Sequence, residues 1–199
     1  MSTVISQETV AEHEHEPQGR SFGWYGMVFF LASEAVFFAN LIASYLYLRV
    51  RAGAWPPTAE HVTRPEPTLV LINTIILLAS SFPMHFAARS ITKGDKRGLT
   101  LGLGATALLG AIFLGIQAYE YIHNAFGPST GVFGSTFYAL TGFHGAHVTF
   151  GVLFLLICFA RSVRGDFSKQ KHFAVNAVEM YWHFVDAVWI VLFLLVYIL

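Results

Sequence analysis

Charge is what this sequence has least of. Only 12% of its 199 residues are Asp, Glu, Lys or Arg, about half the share found in soluble domains. The 12 basic and 12 acidic residues cancel to a formal net charge of zero, which leaves no basic face for phosphate and excludes a nucleic-acid partner. Cysteine is nearly absent as well. Cys158 stands alone in an apolar run, so the chain cannot build a disulfide scaffold, a thiolate zinc site, an iron–sulfur cluster or a CxxCH haem attachment. It shows neither internal repeats nor paired interrupted helices, the marks of many transporters. What it has in abundance is apolar surface, with 55% hydrophobic and 16% aromatic residues. That composition points to an integral membrane protein.

Five segments are long and apolar enough to cross a bilayer, near residues 23–48, 68–88, 99–121, 134–160 and 174–199. They are too long for strands and joined by short connections, so the predicted fold class is an all-α bundle of five transmembrane helices. Residues 1–22 are acidic and polar, lack a basic n-region and a cleavage site, and read as a retained disordered cytoplasmic tail. Its HEHE run reads as a solvated tail rather than a metal trap. Residues 23–199 form the membrane domain. Arg20, Arg89, Lys93, Lys96, Arg97, Arg161, Arg164, Lys169 and Lys171 fall on one side, against Arg49, Arg51 and Arg64 on the other. The positive-inside rule then places the N-terminus in the cytoplasm.

Small residues mark faces on which membrane helices approach closely. The pattern predicts close-packed stripes of Ala32, Ala35, Ala39 and Ala43, of Gly104, Ala107, Ala111 and Gly115, and of Gly142, Gly145 and Thr149. Pro83 is expected to kink the second span near its cytoplasmic end. Polar groups inside spans carry more information, because each is expensive in hydrocarbon. They are Glu34, then Gln117 and Glu120, then His144 and His147, and last Asn176, Glu179, His183 and Asp186 on one stripe of the fifth span. Glu120, His144, His147, Glu179, His183 and Asp186 are predicted to form a buried polar network. Mutual hydrogen bonding that locks helix orientation competes with a functional reading for all of them. Glu120 and His123 form a single Glu-x-x-His box; a di-iron site wants two, and Glu120 lies at a different depth from Glu34 and Asp186. No catalytic, cofactor-binding or metal-binding residue is predicted.

Two longer motifs are specific. YALTGFHGAHV at 138–148 and YWHFVDAVW at 181–189 resemble subunit III of the haem–copper oxidases, most closely that of the cytochrome c oxidases. Ser33-Glu34 with Phe37-Phe38, Trp55-Pro56-Pro57, QAYEY at 117–121 and GSTF at 134–137 follow in the family's order. The second span is generically apolar and adds little. Long family members have seven helices, with the first two set apart across a lipid-filled cleft; this sequence matches the last five, as short bacterial members do.

The resemblance implies a non-redox core subunit of a bacterial respiratory terminal oxidase in the cell membrane. Its partners would be oxidase subunits I and II, which carry the haems and copper, and membrane phospholipid. Its role would be to pack on subunit I, hold lipid, and support proton uptake and sustained turnover while the complex reduces oxygen to water. Cytochrome c is the electron donor favoured by the resemblance; subunit III of a quinol oxidase stays open, as does membership of a respiratory supercomplex, and an independent transporter is the remaining alternative. Glu34, Arg161, Arg164 and His172 are the expected lipid-binding residues. For Glu34 the first expectation is a neutral acid facing a lipid cleft, because the resembling family places this position toward the cleft, and the face it shares with Met27, Phe30, Phe37, Phe38, Leu41 and Tyr45, rather than with the alanines, agrees. Pairing with His147 or His183, or a place on a proton path, are the other two outcomes.

Overall fold

The computed structural model describes residues 22–57 and 67–199. The tail, its HEHE run, Arg20 and Arg64 lie outside the described residues. Helix α1 spans Phe22–Ala52. The second span is split into α2, Pro67–Ala79, and α3, Ser81–Lys93. Then come α4, Lys96–His123, α5, Gly131–Arg164, and α6, Phe173–Phe193, which ends in one π-helical turn, Leu194–Ile198. All described regular structure is helical, and five spans are long and apolar enough to cross a membrane.

Local chemistry sets the boundaries. Asp95 caps α4, its Oδ1 accepting from Arg97 N at 3.1 Å and Gly98 N at 3.0 Å, which satisfies two of the free N–H groups of the first turn. Gly94 and Gly165 close α3 and α5 at φ values of 84° and 81°, a left-handed geometry that a side chain resists. The break between α2 and α3 falls at Ser80, three residues before Pro83. Proline has no N–H to donate and its ring crowds the carbonyl four residues back, here Ala79. The helix is therefore broken beside Pro83, but at mid-span, into two 13-residue halves, rather than near its cytoplasmic end as expected.

Helix α3 packs on α4, α4 on α5 and α5 on α6, while α1 lies mainly against α6 and α5 among the described residues. Trp182 and Trp189 of α6 are fully buried. Their indoles are tied to the second span, Trp182 Nε1 donating to Ser80 Oγ at 2.8 Å and Trp189 Nε1 to Thr74 Oγ1 at 2.9 Å. The second span, which adds little at the level of sequence, thus supplies the hydrogen-bond partners of both core tryptophans.

The predicted small-residue stripes are largely misplaced. Ala32, Ala35, Ala39 and Ala43 are all exposed, and α1 packs through its bulky face, with Phe38 and Tyr45 buried. A Cβ added at Gly115 or Gly145 would meet nothing within 4 Å, and Thr149 is exposed. The close approaches occur elsewhere. A Cβ at Gly102 would lie 2.6 Å from Pro83 O, and one at Gly110 would lie 2.6 Å from the Trp182 ring. In lipid both sides of a helix are apolar, so small residues alone do not say which side faces protein.

Candidate functional site

The polar residues inside the spans do not form one network. They fall into separate groups, and each is held by a different pair of helices.

The first joins α1 to α5. His147 Nε2 lies 2.9 Å from Glu34 Oε2, and the two side chains are 15% and 23% exposed. The other ring nitrogen, Nδ1, faces the Phe143 carbonyl at 2.7 Å. A carbonyl can only accept, so Nδ1 carries a hydrogen. The contact to Glu34 then holds a single proton, placed on the imidazole or on the acid. In both placements the pair is neutral overall, which is how an acid at this depth is tolerated. Tyr181 OH donates to the His147 carbonyl at 3.1 Å, and Phe38 packs edge-on against the imidazole at 4.8 Å. Glu34 is thus on the packed face of α1. Of the outcomes raised for Glu34, pairing with His147 is the one the geometry shows, and Met27 and Phe30 of the same face line the cavity described next.

A cavity does open beside this pair. It has a volume of about 400 Å³ and is lined by Met27 and Phe30 of α1, Phe154, Ile157 and Cys158 of α5, and Phe173, Ala177 and Tyr181 of α6. Nearly all of its wall is apolar. Its charged member is Arg161, whose Nε lies 3.5 Å from Asp166 Oδ2 and whose guanidinium stacks on Phe167 at 4.8 Å. Arg164, in the last turn of α5, is exposed; His172 occupies the N-cap position of α6 without a side-chain capping bond, its Nδ1 3.3 Å from the Ser168 carbonyl.

The second group joins α3 to α6. Ser81 Oγ donates to Asp186 Oδ2 and lies 3.2 Å from His183 Nδ1. Glu179 Oε1 is 3.0 Å from His85 Nδ1 and 3.9 Å from His183 Nε2. Glu179, His183 and Asp186 share the predicted stripe of α6, but Ser81 and His85 were not among the residues the sequence singled out. Their four-residue spacing puts both on one face of α3, and that spacing is the signal that was available.

The third group lies at the other end of the bundle. Glu120 accepts from Gln117 Nε2 at 2.9 Å and from Tyr197 OH at 3.1 Å. His123, its partner in the Glu-x-x-His box, instead faces the Tyr119 carbonyl at 2.9 Å and stacks on the Tyr119 ring. The box therefore does not converge. His144 is separate again: it is 1% exposed, stacks on Trp189 at 4.8 Å and meets Phe113 edge-on at 6.0 Å, and neither ring nitrogen finds a hydrogen-bond partner among the described residues. It shares no bond with His147, three residues on.

Comparison with known proteins agrees with the motifs in these helices. The family model for cytochrome c oxidase subunit III matches residues 2–199. Cytochrome c oxidase subunit 3 of Synechocystis is 47% identical over 201 residues, covering 100% of this chain and 83% of the relative. That of Thermostichus vulcanus is 45% identical, covering 99% and 97%, and that of Bos taurus is 38% identical, covering 98% and 76%. The chain belongs to the cytochrome c oxidase subunit III family.

Proposed function

We propose that this chain is a non-redox core subunit of a bacterial respiratory cytochrome c oxidase, seated in the plasma membrane with its N-terminus in the cytoplasm. It packs on subunit I, and the haems and copper that reduce oxygen reside on subunits I and II. The observation that carries this reading is the match to the subunit III family along residues 2–199. The lack of a thiolate pair supports it, because Cys158 is the sole cysteine. The chain's own contribution is to hold phospholipid and to sustain proton uptake and turnover.

The cavity between α1 and the α5–α6 pair supports the lipid part of this role. Its walls suit an acyl chain, and Arg161 at its edge suits a phosphate headgroup, an attraction of about 1 kcal/mol near a membrane surface. Arg164, in the last turn of the same helix, adds a second cation on that side, and His172, at the start of α6, adds a hydrogen-bonding imidazole. Deleting the chain should leave the oxidase haem bands intact while turnover slows or decays early. Loss of every haem band, with the other subunits still assembled, would falsify the accessory role. Native mass spectrometry of the complex should show phospholipid that is lost on Arg161→Ala; unchanged lipid content would remove the headgroup assignment.

A further inference from the structure

The α3–α6 group is left over once packing and lipid have been accounted for. His85 and His183 have side chains 52% and 43% exposed, on the outer surface of a membrane span, where an unpartnered ionisable group is costly. By helical rise, His85 lies about 12 Å from the end of α3 at Lys93, and Glu179 and His183 lie about 9 Å and about 15 Å from the start of α6. We infer that His85, Glu179 and His183 form a binding site for a divalent transition-metal cation of the Zn²⁺ type.

Three observations converge on it. First, the ligand set is right. Two imidazole nitrogens and a carboxylate oxygen lie within 4.8 Å of one another. Tetrahedral zinc with bonds of about 2.0–2.1 Å needs separations of about 3.4 Å. The distances from Glu179 Oε1 to His85 Nδ1 and to His183 Nε2, 3.0 and 3.9 Å, bracket that value. Glu179 and His183 are one turn apart on α6, and His85 faces them from α3, so the ligands come from rigid helices rather than loops.

Second, the tautomer of His183 is set from behind. Ser81 gives its hydroxyl proton to Asp186, so toward His183 it can only accept, and His183 Nδ1 carries the hydrogen. That leaves Nε2 facing a carboxylate oxygen, a position that a proton fills in the empty site and a metal cation can take in its place. A carboxylate acting on a metal-binding histidine through its far nitrogen is the usual way such ligands are oriented. Third, the charge balances: Glu179 and Asp186 together match a divalent ion, so the loaded site adds no net charge to the membrane. The exposure of both imidazoles leaves a fourth position open to water.

The test uses the full-length chain in detergent with His13 and His15 of the tail replaced by Ala, so that the HEHE run cannot contribute. Zn²⁺ alone is the probe, titrated against a chromophoric chelator, and Co²⁺ serves as a spectroscopic substitute. One Zn²⁺ per chain is expected, with an intense tetrahedral d–d band when Co²⁺ is bound. His85→Ala and Glu179→Gln should each weaken binding at least tenfold, and Ser81→Ala by about 10–100-fold through loss of orientation. His123→Ala, at the far end of α4, should change nothing. Should His85→Ala fail to fold, His85→Gln and the Co²⁺ spectrum of the intact triad decide the matter. A tail-substituted chain that retains no Zn²⁺, or one whose Zn²⁺ binding survives both His85→Ala and Glu179→Gln, overturns the site. The inference concerns this chain's own side chains and stands apart from its place in an oxidase.

Discussion

Helices α1 and α6 are both apolar spans of more than twenty residues, yet they live in different surroundings. In α6, 56% of the most apolar stretch is buried inside the bundle; in α1 the share is 6%. Helix α6 is fixed by tryptophans that reach the second span and by Gly110 of α4 and Gly151 of α5, which admit Trp182. Helix α1 is held at a few points: the Glu34–His147 pair, Phe38, and a clamp at its far end. There Tyr45 OH donates to the Leu195 carbonyl at 3.0 Å and Arg49 Nη1 to the same oxygen at 3.2 Å. The π-helical turn frees that carbonyl, and α1 takes it up. Crossing a membrane and belonging to the core of a bundle are separate properties, and hydropathy reports only the first.

That contrast can be broken most forcefully at Gly110. Gly110→Val would drive a side chain into Trp182 and Val152, an overpacking cost of about 1–3 kcal/mol or more. Denaturant titration of the detergent-solubilised chain should show the loss, while Gly115→Val, which meets open space, should stay within about 0.5 kcal/mol. Equal effects would erase the distinction between the two faces of α4.

Trp182→Phe comes next. It removes the indole donor and leaves the buried Ser80 hydroxyl without it, at about 1–3 kcal/mol by the same titration. On α1, His147→Phe should leave Glu34 without its partner and loosen α1 from α5. A spin-label distance between the two helices should broaden, with a stability loss of about 1–3 kcal/mol. Glu34→Gln keeps a hydrogen-bonding group in place, so the expected loss is below that of His147→Phe. Assembly and initial turnover should be nearly unchanged, and abolished proton pumping would instead identify Glu34 as a relay. The smallest effect is expected on the outer face of α1. Ala35→Leu should alter the stability of the isolated chain by less than about 0.5 kcal/mol, because Ala35 is exposed.

The spans were legible to within a few residues because hydropathy is a local property and each helix must satisfy its own backbone in lipid. The position of Pro83 also foretold a break, since its cause lies within one turn of the chain. Helix rotation was not legible. Ala32, Ala35, Ala39 and Ala43 form as regular a stripe as any, but whether a stripe packs depends on the neighbour's shape, which the stripe does not encode. The site was read in part. Glu34, His147, Glu179, His183 and Asp186 stood out because they are costly in hydrocarbon. Ser81 and His85 did not, because one hydroxyl and one histidine in a generic span gain meaning only when α6 is laid beside them.

The clamp on the Leu195 carbonyl has a bearing on the order in which the molecule takes shape. Tyr45 and its acceptor are 150 residues apart in the chain, so α1 enters the bilayer long before its anchor exists. The clamp itself can form only once the end of α6 is in place. Such a late-docking element opens at less cost than the helices it docks on. The side cavity that α1 walls would then be the part of this subunit where a lipid is most easily exchanged.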